Sequence, residues 1–208
     1  MMTELMQKKL NDGREYRKMT LAASDGDDEY IVEGYASTFD EPYELMRRGD
    51  EIVEEVVERN AFDNCDMSDV IMQYDHEGRV FARTRNKTLT ITPDDHGLYI
   101  RADLSGTEIG RQLWQEIKGG YIDRMSFGFV VDGASTEDRL EDGMTIYTRR
   151  ISAIRKLYDV SAVSFPANDG TEISARNLCD GVLAEAEAER RKLNERRMLE
   201  LKLKLMEV

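Results

Sequence analysis

The chain contains only two histidines, His76 in YDHEGR and His96 in DDHG. A serine hydroxyl is protonated and weakly nucleophilic near neutral pH, so a nucleophilic serine needs an adjacent base, usually an imidazole. The candidate serine is Ser126, the single hydroxyl in RMSFGF. If this serine attacks a substrate, its base must be one of the two histidines.

The positions of the two histidines differ in what they predict. His76 follows the strand-like stretch DVIMQY and precedes Gly78, so it should lie at a strand end, where catalytic groups are common. His96 lies between KTLTIT and GLYIRADL and should occupy a solvent-facing hairpin turn. His76 is therefore the favoured base.

Ser126 lies in MSFGFVV, which has the composition of a strand. Side chains alternate along a strand, so Met125, Phe127 and Phe129 should share one face and Ser126 and Gly128 the other. We expect Gly128 to leave room for a substrate backbone. Periodicity alone favours a structural role for Ser126, because strand serines are usually structural.

A third polar residue is embedded in the apolar stretch KLYDVSAVSF. Asp159 is its only acid, and a carboxylate in such a run requires partners. One possible partner is Arg155, in an ordinary salt bridge. The other is His76, which Asp159 would orient and whose imidazolium it would stabilise.

No other motif indicates a cofactor. The acid–histidine stretches at 75–77 and 94–96 lack the spacing of known metal-ligand motifs. The sequence has none of the glycine-rich patterns GxGxxG, GxxxxGK or GxSxG. We therefore expect neither a cofactor nor a metal.

The elements that must position these residues are mainly strands. About eight short stretches rich in β-branched and aromatic residues follow one another from Tyr30, which favours a barrel or a sandwich. One helix interrupts them in SGTEIGRQLWQEIKGG, where Ser105 and Glu108 have capping-box spacing and Gly119-Gly120 should end the helix.

The two ends of the chain differ from this middle part. Residues 1–24 are charged and predict a mobile arm, residues 25–178 the barrel domain, and residues 179–208 a charged helix or tail. Leucines alternate near the end of the tail, so a strand is also possible there. This segment either docks on a partner or another copy of the chain, or is a solvated tail.

Composition limits the partners. The formal charge is 29 − 42 = −13, which disfavours direct nucleic-acid binding. The sequence lacks the apolar run of a signal peptide or a membrane span, so we expect a cytosolic protein without membrane contact. Cys65 and Cys179 are far apart and should be free thiols.

Several blocks in a fixed order resemble one protein family. They are EGYAST, ERNAF, YDHEGR, LTITPDDHGLYIRADL, IKGGYIDRMSFGF and LYDVSAVSFPAN, between about residues 30 and 176. Together they are similar to phage prohead (capsid maturation) proteases of the HK97 type. The MSFGF and DVSAVSFPAN blocks are the most specific. ERNAF departs from the family pattern, with Asn60 where relatives usually have glycine.

The resemblance implies a serine endopeptidase with a herpesvirus-assemblin-like fold, a mostly antiparallel barrel surrounded by helices. Such enzymes act inside the immature prohead in the host cytoplasm, where they cut the major capsid protein or its scaffold domain, and themselves. By motif, Ser126 would be the nucleophile, His76 the base and Asp159 the third member, where relatives more often have Glu. Backbone amides near Phe127 and Gly128, or an arginine, would stabilise the oxyanion.

Two alternatives to this prediction remain. A non-catalytic scaffold or capsid-binding barrel would use Ser126, His76 and Asp159 only for structure. A metal-dependent hydrolase is the more distant possibility. The serine protease and the non-catalytic barrel differ in whether the side chains of Ser126 and His76 meet, which depends on the fold.

Overall fold

A computed structural model describes residues 13–24, 29–164 and 169–206. The strands are β1 (Glu15–Thr20), β2 (Ala22–Ala23), β3 (Ile31–Thr38), β4 (Tyr43–Arg48), β5 (Glu51–Val57), β6 (Ile71–Tyr74), β7 (Glu77–Arg83), β8 (Leu89–Pro93), β9 (Gly97–Asp103), β10 (Arg124–Glu141) and β11 (Met144–Val163). The helices are α1 (Glu108–Lys118) and α2 (Asp169–Met206), and a short 3-10 turn spans Thr84–Asn86.

The strands form two sheets. The larger has the order β1-β10-β11-β5-β4, with β6 paired to the end of β11 and β7 paired to β6. The smaller has the order β2-β3-β9-β8. Most pairs are antiparallel, but β11 runs parallel to both β5 and β6. One hydrophobic core contains side chains from both sheets and from α1.

The prediction of a barrel was wrong. Among the described strands neither sheet closes on itself, since the larger sheet ends at β1 and β4 and the smaller at β2 and β8. The chain is mainly β with helices, as predicted, and its sheets are mixed. Alternating apolar residues show which strand face is buried, but a strand in a barrel and a strand in an open sheet share that pattern. Closure depends on long-range pairing.

The two longest strands form the hairpin that carries the candidate site. β10 and β11 pair antiparallel from Arg124↔Val163 to Glu141↔Met144, around a turn in which Asp142 and Gly143 have positive φ. The sequence predicted two separate strands where β11 is continuous. Several register shifts in this hairpin mark bulges, which bend the strands. Along its length β11 also pairs with β5 in one part and with β6 in another.

The N-terminal segment belongs partly to the folded body. Residues 15–20 form β1 along β10, with Tyr16 and Arg17 buried, so the prediction of a mobile arm was wrong there; residues 1–12 lie outside the described residues. Arg17 donates from Nε and a terminal nitrogen to both oxygens of Glu55, each over 2.7 Å. Burial alone would raise the pKa of Glu55, but the charges of Arg17 and Arg149 lower it. This ionic contact fixes β1 on the sheet.

Helix α1 lies where the sequence predicted it, but its cap differs. Thr107, not Ser105, is the N-cap, and its hydroxyl accepts a hydrogen bond from the backbone of Gly110 over 3.0 Å. Leu113, Trp114 and Ile117 are buried on the inner face. Gly119 and Gly120 end the helix, as predicted. The chain then enters β10 directly.

Helix α2 continues to Met206, so the alternative of a terminal strand was wrong. The predicted boundary at residue 178 falls inside this helix. Cys179, Val182 and Leu183 pack against Val53 and Tyr147 on the outer side of the larger sheet. The part of α2 that carries these three residues therefore belongs to the folded domain, although the sequence placed it in the C-terminal helix or tail.

No helix in the described ranges is long and apolar enough to span a bilayer.

Candidate active site

Ser126 lies on β10 between two neighbouring strands. Its pairing partners are Lys18 on β1 and Ser161 on β11. Side chains directly opposite each other in an antiparallel pair lie on the same face with Cβ atoms about 5 Å apart, so Ser126 and Ser161 are neighbours. Ser126 is fully buried. Its hydroxyl makes no hydrogen bond to any residue that the structure describes.

His76 lies in the tight turn between β6 and β7. Tyr74 pairs with Glu77, so Asp75 and His76 form a two-residue loop, and both have positive φ, 49° and 61°. Two-residue hairpins of this kind require positive φ at both positions. Asp and His tolerate that conformation better than most residues. The histidine is thus held in a backbone conformation that side chains rarely adopt.

The same turn is anchored to the end of β11. The backbone N–H of Asp75 donates to the carbonyl of Ala162 over 2.9 Å. In return the Asp75 carboxylate accepts hydrogen bonds from the backbone N–H and the hydroxyl of Ser164, each at 3.0 Å. These contacts join β6 to the strand that carries Asp159, so they position His76 relative to that acid.

His76 and Asp159 are in direct contact. Nδ1 of His76 is hydrogen bonded to Oδ1 of Asp159, and both side chains are almost completely buried. A carboxylate bound to Nδ1 favours the tautomer with the proton on Nδ1, which makes Nε2 the basic nitrogen. Arg155, the alternative partner of Asp159, is exposed on the strand. The contact with the histidine is the arrangement in which an acid can orient a base.

Ser161 also contacts this carboxylate. Its hydroxyl donates to Oδ1 of Asp159 over 2.8 Å, and its side chain is fully buried. Sequence reasoning missed this residue. The available signal was the alternation of β11, which places residues 159 and 161 on the same face.

Tyr16 on β1 also contacts His76. The two rings meet edge to face with centroids 4.5 Å apart. Burial, and secondarily the negative charge of Asp159, raises the pKa of Tyr16 far above its ordinary value, so the phenol stays protonated. Nothing in the sequence pointed to Tyr16, because it lay in the segment predicted to be an arm.

The space above Gly128 is filled. A Cβ atom added there would lie 2.6 Å from Oδ2 of Asp159 and 2.8 Å from Cε1 of Tyr16. The prediction that this glycine leaves room for a substrate backbone was therefore wrong. The glycine instead allows the Asp159 carboxylate and the Tyr16 ring to approach β10.

We expect Gly128→Ala to destabilise the protein by about 1–3 kcal/mol, because the added methyl group must displace Asp159 and Tyr16 in a packed interior. Urea denaturation measures this change. Gly106→Ala is the matched control, since nothing lies within 4 Å of its added Cβ atom and its φ is not positive. The control should stay within about 1 kcal/mol of the wild type. Equal stability of the two variants would contradict the close approach at Gly128.

His96, the other histidine, lies in the hairpin turn between β8 and β9 and is exposed, as predicted. Its ring contacts Tyr35, with centroids 4.5 Å apart. The structure therefore brings together His76 and Asp159 and places Ser126 one strand away from Asp159, beside Ser161. His96 has no part in this cluster.

Comparison with known proteins assigns the chain to a family. The family model described as caudovirus prohead serine protease matches residues 17–182, which contain β10, β11 and the His76 turn. The chain belongs to this family. The matched region begins within β1 and ends in the packed part of α2, so the family unit includes both segments that lie against the larger sheet.

One prohead protease relative is similar over most of the chain. The Prohead protease of Enterobacteria phage HK97 is 30% identical over 154 residues, which are 73% of this chain. The match covers 62% of the length of that relative. No solved structure has significant similarity to the chain.

Proposed function

We propose that this prohead protease family member is a serine endopeptidase that shortens capsid protein or scaffold during prohead maturation. The observation that carries the proposal is the buried hydrogen bond between His76 and Asp159, one strand away from Ser126 within the matched region. A base oriented by an acid is the arrangement that activates a serine. In this proposal the Ser126 hydroxyl, which has no hydrogen bond to a described residue, is the group to be activated.

The chemistry follows from these three side chains. Oγ of Ser126 attacks a peptide carbonyl carbon while Nε2 of His76 takes the hydroxyl proton, and Asp159 stabilises the resulting imidazolium. The C–N bond then breaks, and His76 returns the proton to the leaving amine. A water molecule then attacks the acyl carbon while His76 takes its proton; the ester bond to Oγ of Ser126 breaks, and His76 returns the proton to Oγ. Hydrogen bonds between catalytic groups are often longer before substrate binds, so the Ser126–His76 contact forms in the complex.

The oxyanion needs a hydrogen-bond donor that is not already paired between the strands of the sheet. From Arg124 to Phe129, β10 is paired with β1 on one side and β11 on the other. Backbone N–H groups in such a strand point to paired neighbours, which argues against the amides of Phe127 and Gly128 in this conformation. The arginine alternative is then favoured.

The proposed substrates are the major capsid protein or its scaffold domain, and the chain itself, inside the immature prohead in the host cytoplasm. Two observations support this proposal, the description of the family and that of the HK97 relative, both of which name proheads. The formal charge of −13 fits a protein partner better than direct contact with nucleic acid. Self-association of the chain is a further part of the proposal.

A second function remains, a non-catalytic capsid-binding module. The observation that favours it is the complete burial of Ser126, since a substrate carbonyl must reach this hydroxyl. Under the protease proposal a covering element moves when substrate binds. Under the alternative no such movement occurs and the three side chains only hold strands together.

Co-expression of the chain with the capsid protein of the same phage tests the proposal. We expect the capsid protein to be shortened at one defined site, because specific endopeptidases cut a recognised segment rather than the folded body. Intact-mass measurement and N-terminal sequencing of the product identify the new end. A capsid protein that stays full length with the chain present, while assembling into proheads, would contradict protease function.

A further inference from the structure

The candidate site contains a fourth polar side chain that has no role in the three-residue mechanism. Ser161 is fully buried, and its hydroxyl donates to Oδ1 of Asp159 over 2.8 Å. The same oxygen is bound to Nδ1 of His76. One carboxylate oxygen therefore joins the histidine and a second serine.

We propose that Ser161 is a positioning residue that holds the Asp159 carboxylate in the orientation His76 requires. The inference rests on the proposed function and adds a residue to it. A carboxylate on a strand can rotate about its terminal torsion, which has a broad energy profile. A hydrogen bond from a fixed hydroxyl restricts this rotation. The imidazole that shares the oxygen is then restricted with it.

The fold explains why residue 161 is suited to this task. Residues 159 and 161 are two apart on β11, so their side chains lie on one face. Asp159 is opposite Gly128 and Ser161 is opposite Ser126. The absent side chain at Gly128 admits the carboxylate. The strand pair thus aligns acid, positioning hydroxyl and candidate nucleophile without any loop.

Ser161 is the other buried serine of this face, so its role must be separated from that of Ser126. The Ser161 hydroxyl directs its proton to the carboxylate of Asp159. A nucleophile must give its proton to the base, which here is His76. The Ser126 hydroxyl has no such commitment among the described residues. The geometry therefore assigns positioning to Ser161 and attack to Ser126.

Three substitutions at this position separate hydrogen bonding from packing. Ser161→Ala removes the hydroxyl, and Ser161→Cys replaces it with a slightly larger thiol that is only a weak donor. Ser161→Thr keeps the hydroxyl on a β-branched residue that suits a strand. Ser152→Ala is the matched control, because Ser152 is an exposed serine on the same strand.

Steady-state kinetics on a peptide spanning the mapped cut site measure the effect in the full-length protein. We expect Ser161→Ala and Ser161→Cys to lower kcat by about 10- to 100-fold with KM unchanged, since a hydrogen bond to a charged group is lost in the transition state. Ser161→Thr should keep kcat within about fivefold of the wild-type value. Ser152→Ala should have the wild-type kcat. Thermal unfolding of each variant shows whether its fold is intact.

Several results would overturn the positioning role. Wild-type kcat in folded Ser161→Ala is one, and a change in KM alone is another. If folded Ser161→Ala were as inactive as Ser126→Ala, Ser161 would take part in the chemistry itself. Failure of the proposed function looks different: the wild type would leave the substrate uncut, or Ser126→Ala would process it as well as the wild type does. If Ser126→Ala is inactive while Ser161→Ala is fully active, only the positioning role is rejected.

Discussion

Ser126→Ala is expected to abolish shortening of the capsid protein in co-expression. Loss of the nucleophile removes the acyl-enzyme route, and in serine proteases such a loss lowers kcat by about a millionfold. At that rate no product accumulates during expression. The buried Ser126 hydroxyl makes no hydrogen bond to a described residue, so its removal costs little stability and the variant should fold normally.

Ser135→Ala is the matched control for this experiment. Ser135 lies on the same strand, β10, but is exposed on the distal part of the hairpin. It should leave processing at the wild-type level. The decisive measurement is the intact mass of the capsid protein in the two co-expressions. Equal shortening with Ser126→Ala and Ser135→Ala would exclude Ser126 as the nucleophile.

Asp159→Asn is expected to lower kcat by about 10⁴-fold without changing the volume of the side chain. An amide in place of the carboxylate cannot stabilise the imidazolium, and its NH₂ group favours the wrong tautomer of the histidine. His76 then presents a protonated nitrogen to the serine and cannot take its proton. Single-turnover cleavage of the cut-site peptide measures this loss, which is smaller than that of Ser126→Ala because the nucleophile remains.

Asp132→Asn controls for the change in net charge. Asp132 is an exposed acid on β10, so its replacement should leave the cleavage rate within about twofold of the wild type. An Asp159→Asn variant that folds and cleaves within tenfold of the wild type would mean that the buried contact with His76 is structural. If Ser126→Ala were also active, the cleavage would not depend on these side chains.

Much of the site could be predicted from the sequence because the chain has so few candidates. Two histidines limited the base, and the hairpin position of His96 left His76. Asp159 stood out as an acid in an apolar strand, where burial demands a partner. Choosing between Arg155 and His76 as that partner required the structure. Residues four apart share a face of a regular strand, but register shifts interrupt β11 between them, so Arg155 is exposed and Asp159 is buried. The turn after β6 brings the histidine to Asp159.

Other parts of the fold were missed because their sequences are charged. β4 (YELMRR) and β7 (EGRVFAR) lie at sheet edges, where charged side chains protect a strand from further pairing. β1 was hidden by its charges as well, although Arg17 is buried against Glu55. A buried ion pair between residues 38 positions apart leaves no local signal, so neither β1 nor the position of Tyr16 was predictable.

The sequence by itself determined the residue types that carry the proposed chemistry and their order in the family blocks. It also determined most strands and the helix before β10, because these depend on local periodicity. Only the tertiary structure decided that β1 pairs with β10, that the sheets formed by the described strands stay open, and that Ser161 and Tyr16 join His76 and Asp159. These features depend on which distant strands pair, and that choice is made by packing of the whole core rather than by any single segment.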